Sequence, residues 1–271
     1  MTASIPIAEE LMARFLRGIR REEEARLGLA VWEIIHHGHD VRIRGTLDPV
    51  RRIAFGFERV VLLMGPDPWP FFDALPRPAG EIDLCFDPDL RGDVKARFRN
   101  LRLVDPAGRG RINRFLCLEC SRDEFRPSLE EGVRRPERLT PALLVGLGET
   151  DERLRALAAA PTPTFVCREG GRIVSWAPAP HIAIWDRFSF AVIRSVATLP
   201  AARGRGYASA CVSALCRHLF EKVEVRWIYL WVEEANEPAR RLYRKIGFRE
   251  AGRWCACAAT PRRGSPIRSD P

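Results

Sequence analysis

Two segments in the second half of the chain have residue types and spacings suited to binding phosphate. A β-type run ends at residues 196–198, the turn at 203–206 reads Arg-Gly-Arg-Gly, and a helical pattern follows from Tyr207. A strand–turn–helix unit of this kind directs several backbone N–H groups and the positive end of a helix toward one point, which is how proteins hold phosphate. Further along, Asn236 opens a second helical pattern that contains Tyr243. Together the two segments predict a phosphate-bearing cofactor with a phenol placed nearby.

The elements that must position these residues are predicted from hydrophobic periodicity and from turn residues. Two β-type runs flank the Glu-Gly-Gly sequence at 169–171, which favours a hairpin. The polar residues 261–271 are predicted to be a disordered tail. The elements predicted for this half are a helix at 143–160, strands at 164–168, 172–177 and 189–198, a helix at 208–223, a strand at 226–232, a helix at 237–246 and a strand at 253–258.

The first half has the pattern of a smaller α/β unit. A helix is predicted at 7–37 and a second, short helix at 92–102. Residues 122–137 are charged and contain two prolines, so they are interpreted as a linker or as an ordered surface crossing. The predicted domains are therefore 1–121, the linker 122–137, 138–260 and the tail 261–271. The predicted strands of the first half are 41–44, 52–57, 60–64, 81–86 and 115–119.

A resemblance to a known family rests on this element order and on two motifs. Residues 203–208, Arg-Gly-Arg-Gly-Tyr-Ala, fit the pattern R/Q-x-x-G-x-G/A, and residues 242–248 read Leu-Tyr-Arg-Lys-Ile-Gly-Phe. From about 139 to 258 the chain resembles the GNAT N-acetyltransferase superfamily. The resemblance implies an α/β (α+β) fold with a mixed, mostly antiparallel sheet flanked by helices. The N-terminal domain is then either a degenerate GNAT-like repeat or an accessory module.

The resemblance implies acetyl-CoA as co-substrate and no metal. Glycine lets the backbone approach the pyrophosphate where a Cβ would collide, and the helix that follows adds its positive dipole end. The strand backbone at 196–198 is expected to pair with the pantetheine arm, and Asn236 to contact that arm as well as to begin its helix. The expected cofactor-binding residues are Val196, Ala197, Thr198, Arg203, Gly204, Arg205, Gly206, Tyr207, Ala208, Ser209 and Asn236.

Catalysis in the family is direct attack of an amine on the thioester. By resemblance, Tyr243 is the general acid that reprotonates the departing thiolate, and a phenol near pKa 10 suits that task because it stays protonated at neutral pH. A backbone amide near Val196 is expected to stabilise the oxyanion. Many relatives place a Glu on the strand before the phosphate loop, but residues 188–196 contain none. Glu233 is the tentative base, with Glu234, Asp186, His181 or a water chain as alternatives.

Three functions stay open at this point. The first is an acetyl-CoA-dependent N-acetyltransferase. The second is a transferase that uses a longer acyl-CoA, and the third is a non-catalytic acyl-CoA-binding or sensory module, which the missing strand carboxylate favours. The acceptor is expected to be a small-molecule or peptide amine, but no motif identifies it or the oligomeric state.

Composition bears on partners and location. The formal net charge is +9, and since only three of the 44 basic residues are lysine, 41 are arginine. Such a preference is typical of GC-rich codon usage, and the arginines are interleaved with 35 acids, so nucleic-acid binding is not expected. No run of about eighteen apolar residues occurs. Residues 1–21 lack the apolar core of a signal peptide, so a cytoplasmic protein without membrane association is expected.

Other chemistry-bearing residues are predicted to be structural. The Cys-x-x-Cys sequence at 117–120 has no second pair at zinc-site spacing, and the eight cysteines are expected to stay reduced. The histidines at 36–39 have no matching ligands elsewhere. Residues 105–111 resemble a second phosphate loop but lack its Arg and its small residue. Core packing is expected for three tryptophans that could otherwise line an acceptor pocket, Trp69, Trp176 and Trp185.

Overall fold

A computed structural model describes residues 9–37, 41–47, 50–75, 80–104, 110–128, 136–147 and 151–262. The helices are α1 (Glu9–Gly18), α2 (Glu24–His37), α3 (Trp69–Asp73), α4 (Arg91–Arg97), α5 (Pro141–Leu147), α6 (Glu152–Ala159), α7 (Tyr207–His218) and α8 (Glu237–Ile246). Short 3-10 helices span Arg21–Glu23, Pro88–Leu90 and Pro200–Ala202, and a π-helical turn spans Leu219–Val223.

Fourteen strands are interspersed with these helices in the described residues. They are β1 (Arg42–Leu47), β2 (Val50–Phe57), β3 (Val60–Met64), β4 (Ile82–Phe86), β5 (Phe98–Arg102), β6 (Asn113–Ser121), β7 (Glu137–Arg138), β8 (Thr164–Glu169), β9 (Arg172–Pro178), β10 (His181–Trp185), β11 (Phe188–Ile193), β12 (Ala197–Thr198), β13 (Trp227–Glu233) and β14 (Arg249–Pro261). The described chain divides into two compact units. Unit 1 takes the described parts of 1–117, 232–236 and 251–271, and unit 2 takes those of 118–231 and 237–250.

Unit 1 contains a sheet in which β1, β2, β3, β4 and β14 are successive neighbours. β3 and β4 pair in parallel, and α3 lies in the connection between them, as a parallel crossover requires. The other pairings here are antiparallel: β1–β2, β2–β3, β4–β14 and β5–β14. Its core includes an aromatic cluster in which the Phe72 and Phe98 rings lie 5.6 Å apart, beside Trp69.

Unit 2 contains the elements that the phosphate-binding prediction needs. β7, β8, β9 and β12 form an antiparallel sheet, with β12 at one edge. β10 and β11 form an antiparallel hairpin, and β11 pairs in parallel with β13. α7 packs on β8 and β9, and its inward face is apolar, with Ala210, Val212 and Leu215 fully buried. The mixed, mostly antiparallel α/β architecture that the sequence predicts is confirmed.

Several predicted elements are wrong in their extent. The single helix predicted at 7–37 is broken into α1 and α2 by a 3-10 turn, and residues 98–102 form a strand rather than the end of a helix. The strand predicted at 189–198 is interrupted between β11 and β12. β10 was not predicted, because the sequence before it, Pro-Ala-Pro at 178–180, is typical of a turn or loop and gives no sign that a strand follows.

The C-terminal strand differs most from its prediction. β14 runs to Pro261 instead of ending at 258, and residues 255–261 pair with β4 and β5. These residues, which the sequence interpretation gave to the domain 138–260, therefore contact the first half of the chain. The tail residues 263–271 lie outside the described part of the chain.

The described part of the predicted linker is an ordered surface crossing. The backbone N–H of Ser128 donates to Ser213 Oγ at 3.0 Å, and the Phe125 and Phe220 rings lie 5.6 Å apart. Arg122 donates to the carbonyl oxygen of Phe220. Residues 122–128 are thus fastened to the helical layer of unit 2. Within the described ranges, no helix combines the length and the apolar character needed to cross a membrane.

Candidate coenzyme A site

The site begins where two parallel strands part. β11 and β13 pair in parallel until Ile193 lies opposite Leu230. Two residues later Ser195 adopts a left-handed conformation with φ of 55°, which turns the chain away from that ladder. The following segment, β12, pairs instead with β9, where Ala197 lies opposite Trp176. The departure leaves one edge of β12 without a strand neighbour in the described sheet, and an amide-bearing chain could pair there.

The short strand β12 is held firmly on its paired side. Ser175 Oγ donates to the carbonyl oxygen of Ala197 at 2.9 Å and lies 2.9 Å from Thr198 Oγ1. The backbone N–H of Leu199 donates to the carbonyl oxygen of Val174 at 2.9 Å. Contacts to β9 therefore fix the backbone of 197–199 on this side, and the predicted residues Val196, Ala197 and Thr198 are all half-buried.

The loop after β12 brings the chain to the N-terminus of α7 through two left-handed glycines. Gly204 and Gly206 have φ of 76° and 78°, a conformation that costs a residue with a Cβ on the order of 1 kcal/mol or more. Gly206 is the N-cap of α7 and supplies no side-chain cap. The N–H groups of the first turn, residues 207–209, therefore lack the usual intrahelical or capping acceptors. An anion placed there would meet several N–H donors and the positive end of the dipole.

Ser209 adds a buried polar atom to this turn. Its side chain is 6% exposed, and its Oγ has no hydrogen-bond partner among the described residues. A buried hydroxyl without a partner is costly unless a ligand or water satisfies it. Ala208, beside it, is small and half-buried. The chemistry of this turn, uncapped N–H groups with an unpartnered hydroxyl, fits the pyrophosphate of coenzyme A.

The two arginines of the loop, Arg203 and Arg205, contact different partners. Arg203 Nε donates to the carbonyl oxygen of Thr198 at 3.3 Å, which braces the loop, while the side chain stays exposed. Arg205 forms a two-pronged ion pair with Glu169, with one N–O distance of 2.8 Å, and stacks over the Tyr207 ring at 5.4 Å. Both partners of this pair are at least one-third exposed, so it contributes little to stability. In this structure the Arg205 guanidinium is thus paired with the Glu169 carboxylate.

Tyr243 lies in the helix predicted for it, α8, and its side chain is 8% exposed. Its ring packs edge-on against Phe248, with centroids 5.7 Å apart. Burial raises the pKa of Tyr243 well above the ordinary value of a phenol, and the nearby Cys216 thiol acts in the same direction. The hydroxyl therefore stays protonated at neutral and moderately alkaline pH, as a proton donor must.

A close backbone contact explains the Gly-Phe end of the second motif. Gly247 has φ of +107°, and a Cβ built on it would lie 2.0 Å from the carbonyl oxygen of Glu124. The N–H of Arg126 donates to the carbonyl oxygen of Ile246 at 2.8 Å, so the crossing segment 122–128 closes over the end of α8. Only glycine fits this position, and its contact fixes the helix that carries Tyr243.

The candidate bases differ in environment. Glu233 is the buried one, at 6% exposed, and its Oε2 accepts a hydrogen bond of 3.3 Å from Asn113 Nδ2. Asn113 is fully buried and is itself fixed because its Oδ1 accepts from the Val104 N–H at 2.8 Å. Glu234, by contrast, is ion-paired with Arg114 at 2.9 Å.

The other two candidates are less suited to the role of base. Asp186 lies in the turn of the β10–β11 hairpin, is exposed and has φ of 49°. His181 Nε2 lies 3.4 Å from Arg194 Nη1.

Asn236 directly precedes α8, and its N–H donates to the Glu233 carbonyl oxygen at 2.9 Å. Asn236 and Glu233 belong to unit 1, whereas the loop and Tyr243 belong to unit 2.

The remaining sequence features form no second site in the described residues. No group of three or more potential metal ligands is present there. All eight cysteines are free thiols. Trp69 and Trp176 are buried as predicted, but core packing is wrong for Trp185, which is 41% exposed at the end of β10. Most of the second phosphate-like loop, residues 105–109, lies outside the described part of the chain, as does the end of the histidine run, 38–40.

The comparison with family models assigns this region. Residues 131–248 match the model of the Acetyltransferase (GNAT) family. The match contains the β11–β12 break, the glycine loop, α7 and Tyr243. The family model thus matches the part of the sequence in which the two motifs lie, in agreement with the predicted resemblance. A comparison with curated protein sequences gave no match.

Solved structures resemble the fold along most of the chain. A GCN5-related N-acetyltransferase from Sphaerobacter thermophilus is 17% identical with a TM-score of 0.56, and the match covers 96% of this chain and 95% of that chain. One from Kribbella flavida is 14% identical with a TM-score of 0.52, covering 96% and 98%. A tandem GNAT protein from the clavulanic acid biosynthesis pathway is 12% identical with a TM-score of 0.53, covering 96% and 98%. At these identities the likeness is one of fold.

Two residues of the site were missed from the sequence. Ser195 makes the strand break, and serine carries no signal for a left-handed conformation inside a β-type run. Asn113 contacts Glu233 across 120 residues of sequence, and no local pattern could connect them.

Proposed function

We propose that the protein is an acetyl-CoA-dependent N-acetyltransferase in which an acceptor amine attacks the thioester directly. The observation that carries the proposal is the N-terminus of α7, where an uncapped first turn, left-handed Gly206 and the unpartnered Ser209 hydroxyl lie together. This arrangement suits a pyrophosphate, and the GNAT-family match of the same residues supports coenzyme A as its carrier. Bound acetyl-CoA supplies an acetyl group activated as a thioester.

Each predicted residue has a role in this proposal. The backbone N–H groups of residues 206–209 and the Ser209 hydroxyl hold the phosphates, and the free edge of Val196–Thr198 pairs with the pantetheine amides. Arg203 braces the loop through Thr198, while Arg205 acts through its ion pair with Glu169. A backbone amide near Val196 donates to the oxyanion as negative charge develops on the carbonyl oxygen.

Proton transfer divides between an acid and a base. The amine nitrogen forms the new C–N bond, the C–S bond breaks, and Tyr243 donates its phenolic proton to the departing thiolate sulfur. The amine loses a proton to a base, for which Glu233 is our candidate because it is a buried carboxylate fixed by Asn113. The N-terminal half is proposed to be an accessory or degenerate GNAT-like module with no cofactor site of its own.

The proposal is tested by incubating the protein with acetyl-CoA and a panel of amines: polyamines, amino acids, aminoglycosides and peptides with free N-termini or lysines. Formation of an acetylated product is followed by mass spectrometry, with Gly206→Val as the site-deficient control. We expect an acetylated amine with the native protein and none above background with the variant. Equal product with both proteins would show that the loop is not the site of transfer.

A second candidate is a non-catalytic acyl-CoA-binding or sensory module. It is favoured by the absence of any carboxylate on β11, whose sequence is Phe-Ser-Phe-Ala-Val-Ile. Tight binding of acetyl-CoA with no product from any amine would select it over the transferase. Substituting propionyl-, butyryl- and octanoyl-CoA in the same assay separates an acetyltransferase from an enzyme that uses longer acyl groups.

A further inference from the structure

A groove lies at the far end of α7 from the phosphate-binding turn. It has a volume of about 390 Å³ and is lined by residues of the α7 C-terminus, the π-helical turn and β8, including Phe165, Ser213, Arg217, His218, Glu221 and Lys222. We call it the basic groove. At 1.5 Å per residue along the helix, Arg217 and His218 lie about 17 Å from the first turn of α7. The basic groove is thus separate from the proposed coenzyme A site.

The groove carries cations that nothing in the described chain neutralises. Arg217 and Lys222 line it, and both are exposed and make no ion pair among the described residues. Arg138 on β7, also exposed and unpaired among the described residues, acts electrostatically on His218. Among the described residues that line the groove, the one acid is Glu221. The described lining thus carries two cations against one carboxylate, and with Arg138 nearby these side chains give a net positive field, which attracts anions.

The groove also offers a surface for a flat group. The Phe165 ring is half-buried and packs against the His218 imidazole, with centroids 5.5 Å apart and planes inclined by 54°. An aromatic face beside cations is a combination that binds the base and the phosphate of a nucleotide together. The volume lies within the range of small-ligand sites in proteins, which begins at roughly 300 Å³.

The helix is irregular where it borders the groove. α7 continues after His218 as a π-helical turn, Leu219–Val223, and ends at Glu224 with φ of 62°. π-helical turns are uncommon and occur often at functional sites. Here the turn carries Glu221 and Lys222 beside Arg217 and His218, because residues four apart along a helix project from the same side. The π-helical segment therefore forms one wall of the groove.

We propose that the basic groove binds a phosphorylated small molecule with a planar group, of the class of nucleoside monophosphates. The planar group stacks on Phe165 and His218, and Arg217 and Lys222 contact the phosphate. The inference does not depend on the proposed acetyltransferase function, since every residue it uses lies outside the loop and α8.

The test uses the full-length protein and AMP as probe, with adenosine and inorganic phosphate as separate arms. The ring protons of His218 are followed by NMR and assigned with His218→Asn. Burial, together with Arg138 and Lys222, holds the pKa of His218 below its ordinary value. A bound phosphate adds negative charge nearby, so AMP is expected to shift the His218 signals and to raise their titration midpoint. Adenosine or phosphate alone is expected to bind more weakly than AMP.

The variant Arg217→Glu/Lys222→Glu is expected to lose AMP binding by about tenfold or more, because it replaces the two cations that contact the phosphate with carboxylates that repel it. Arg155→Glu/Arg172→Glu, which changes the net charge equally at exposed and unpaired arginines elsewhere in unit 2, is expected to bind AMP like the native protein. Phe165→Leu is expected to reduce AMP binding toward that of phosphate alone.

AMP could also enter the coenzyme A site, and Gly206→Val separates the two. The proposal predicts that the AMP-induced change at His218 persists in Gly206→Val. It is overturned if AMP at millimolar concentration leaves the His218 signals unmoved, if the change disappears in Gly206→Val, or if the two double variants bind AMP equally.

Discussion

Tyr243→Phe is the substitution that most sharply separates chemistry from binding in this domain. The side chain is 8% exposed, and its ring packs on Phe248 at 5.7 Å, so phenylalanine keeps the packing and removes only the hydroxyl. Loss of a general acid costs about 10²- to 10⁴-fold in rate. At 1.36 kcal/mol per factor of ten, this is about 3–5 kcal/mol of transition-state stabilisation. We expect kcat to fall by that factor while the Kd for coenzyme A changes by less than about twofold.

The chain supplies a matched control, because it has only three tyrosines. Tyr229 is fully buried on β13 and contacts the Phe190 ring at 5.3 Å. Tyr229→Phe removes an equally buried hydroxyl from the same unit without touching the proposed acid. We expect it to keep kcat within about threefold of the native value, measured as acetylated product per folded molecule. Native-like turnover in Tyr243→Phe, or an equal loss in both variants, would refute the assignment of the acid.

The pH dependence gives an independent check on the same residue. A general acid works only while it is protonated, and burial raises the pKa of Tyr243 above its ordinary value of about 10. Activity due to this group is therefore fully present at neutral pH and is lost only as the pH rises through the elevated pKa. We expect no alkaline decline attributable to Tyr243 below about pH 10. An alkaline limb near pH 9 that is absent from the residual activity of Tyr243→Phe would contradict the buried state of the phenol.

Two further substitutions test how the site is supported. Gly247→Ala is expected to lower the free energy of unfolding, measured by urea titration, by about 3 kcal/mol or more, because the residue has a positive φ and its Cβ would collide with the Glu124 carbonyl oxygen. Gly171→Ala is the control: its φ is +80° but the space around it is open, so we expect it to lower the free energy of unfolding by about 1 kcal/mol. Asn113→Ala removes the side-chain amide that donates a hydrogen bond to the Glu233 carboxylate. Because that bond favours the ionised carboxylate, the acid limb of the pH profile of kcat/KM is expected to move to higher pH. An unmoved limb would exclude Glu233 as the base that this profile reports.

The local parts of this site could be predicted from the sequence. Gly204 and Gly206 mark positions that need a left-handed backbone, and the helix after them follows from apolar periodicity, so the glycine turn and the helix after it were predicted. α8 was predicted with the bounds that the structure shows, Glu237–Ile246. These features depend on interactions between residues at most a few positions apart.

Features that depend on distant contacts could not be predicted. Ser195 lies where the chain leaves β13 and begins to pair with β9, and its own residue type gives no sign of this break. The extent of β14 is set by β4 and β5, which lie more than 150 residues earlier in the chain. The motif at 242–248 contains Gly247, but the close approach of the Glu124 carbonyl that requires a glycine there could not be predicted. In each case tertiary packing decides what the local sequence leaves open.

The central claim is that the first turn of α7 holds coenzyme A, and calorimetric titration of coenzyme A into the native protein and two glycine variants tests it most directly. Gly206→Val puts a branched side chain at a left-handed position (φ 78°) in the turn, while Gly171→Val does the same in the β8–β9 hairpin (φ 80°), which costs a similar strain away from the site. With the folded state of each verified by its thermal transition, we predict that the native protein and Gly171→Val bind coenzyme A with similar Kd and that Gly206→Val shows no measurable binding. Equal binding by both variants, or none by the native protein, would contradict the account.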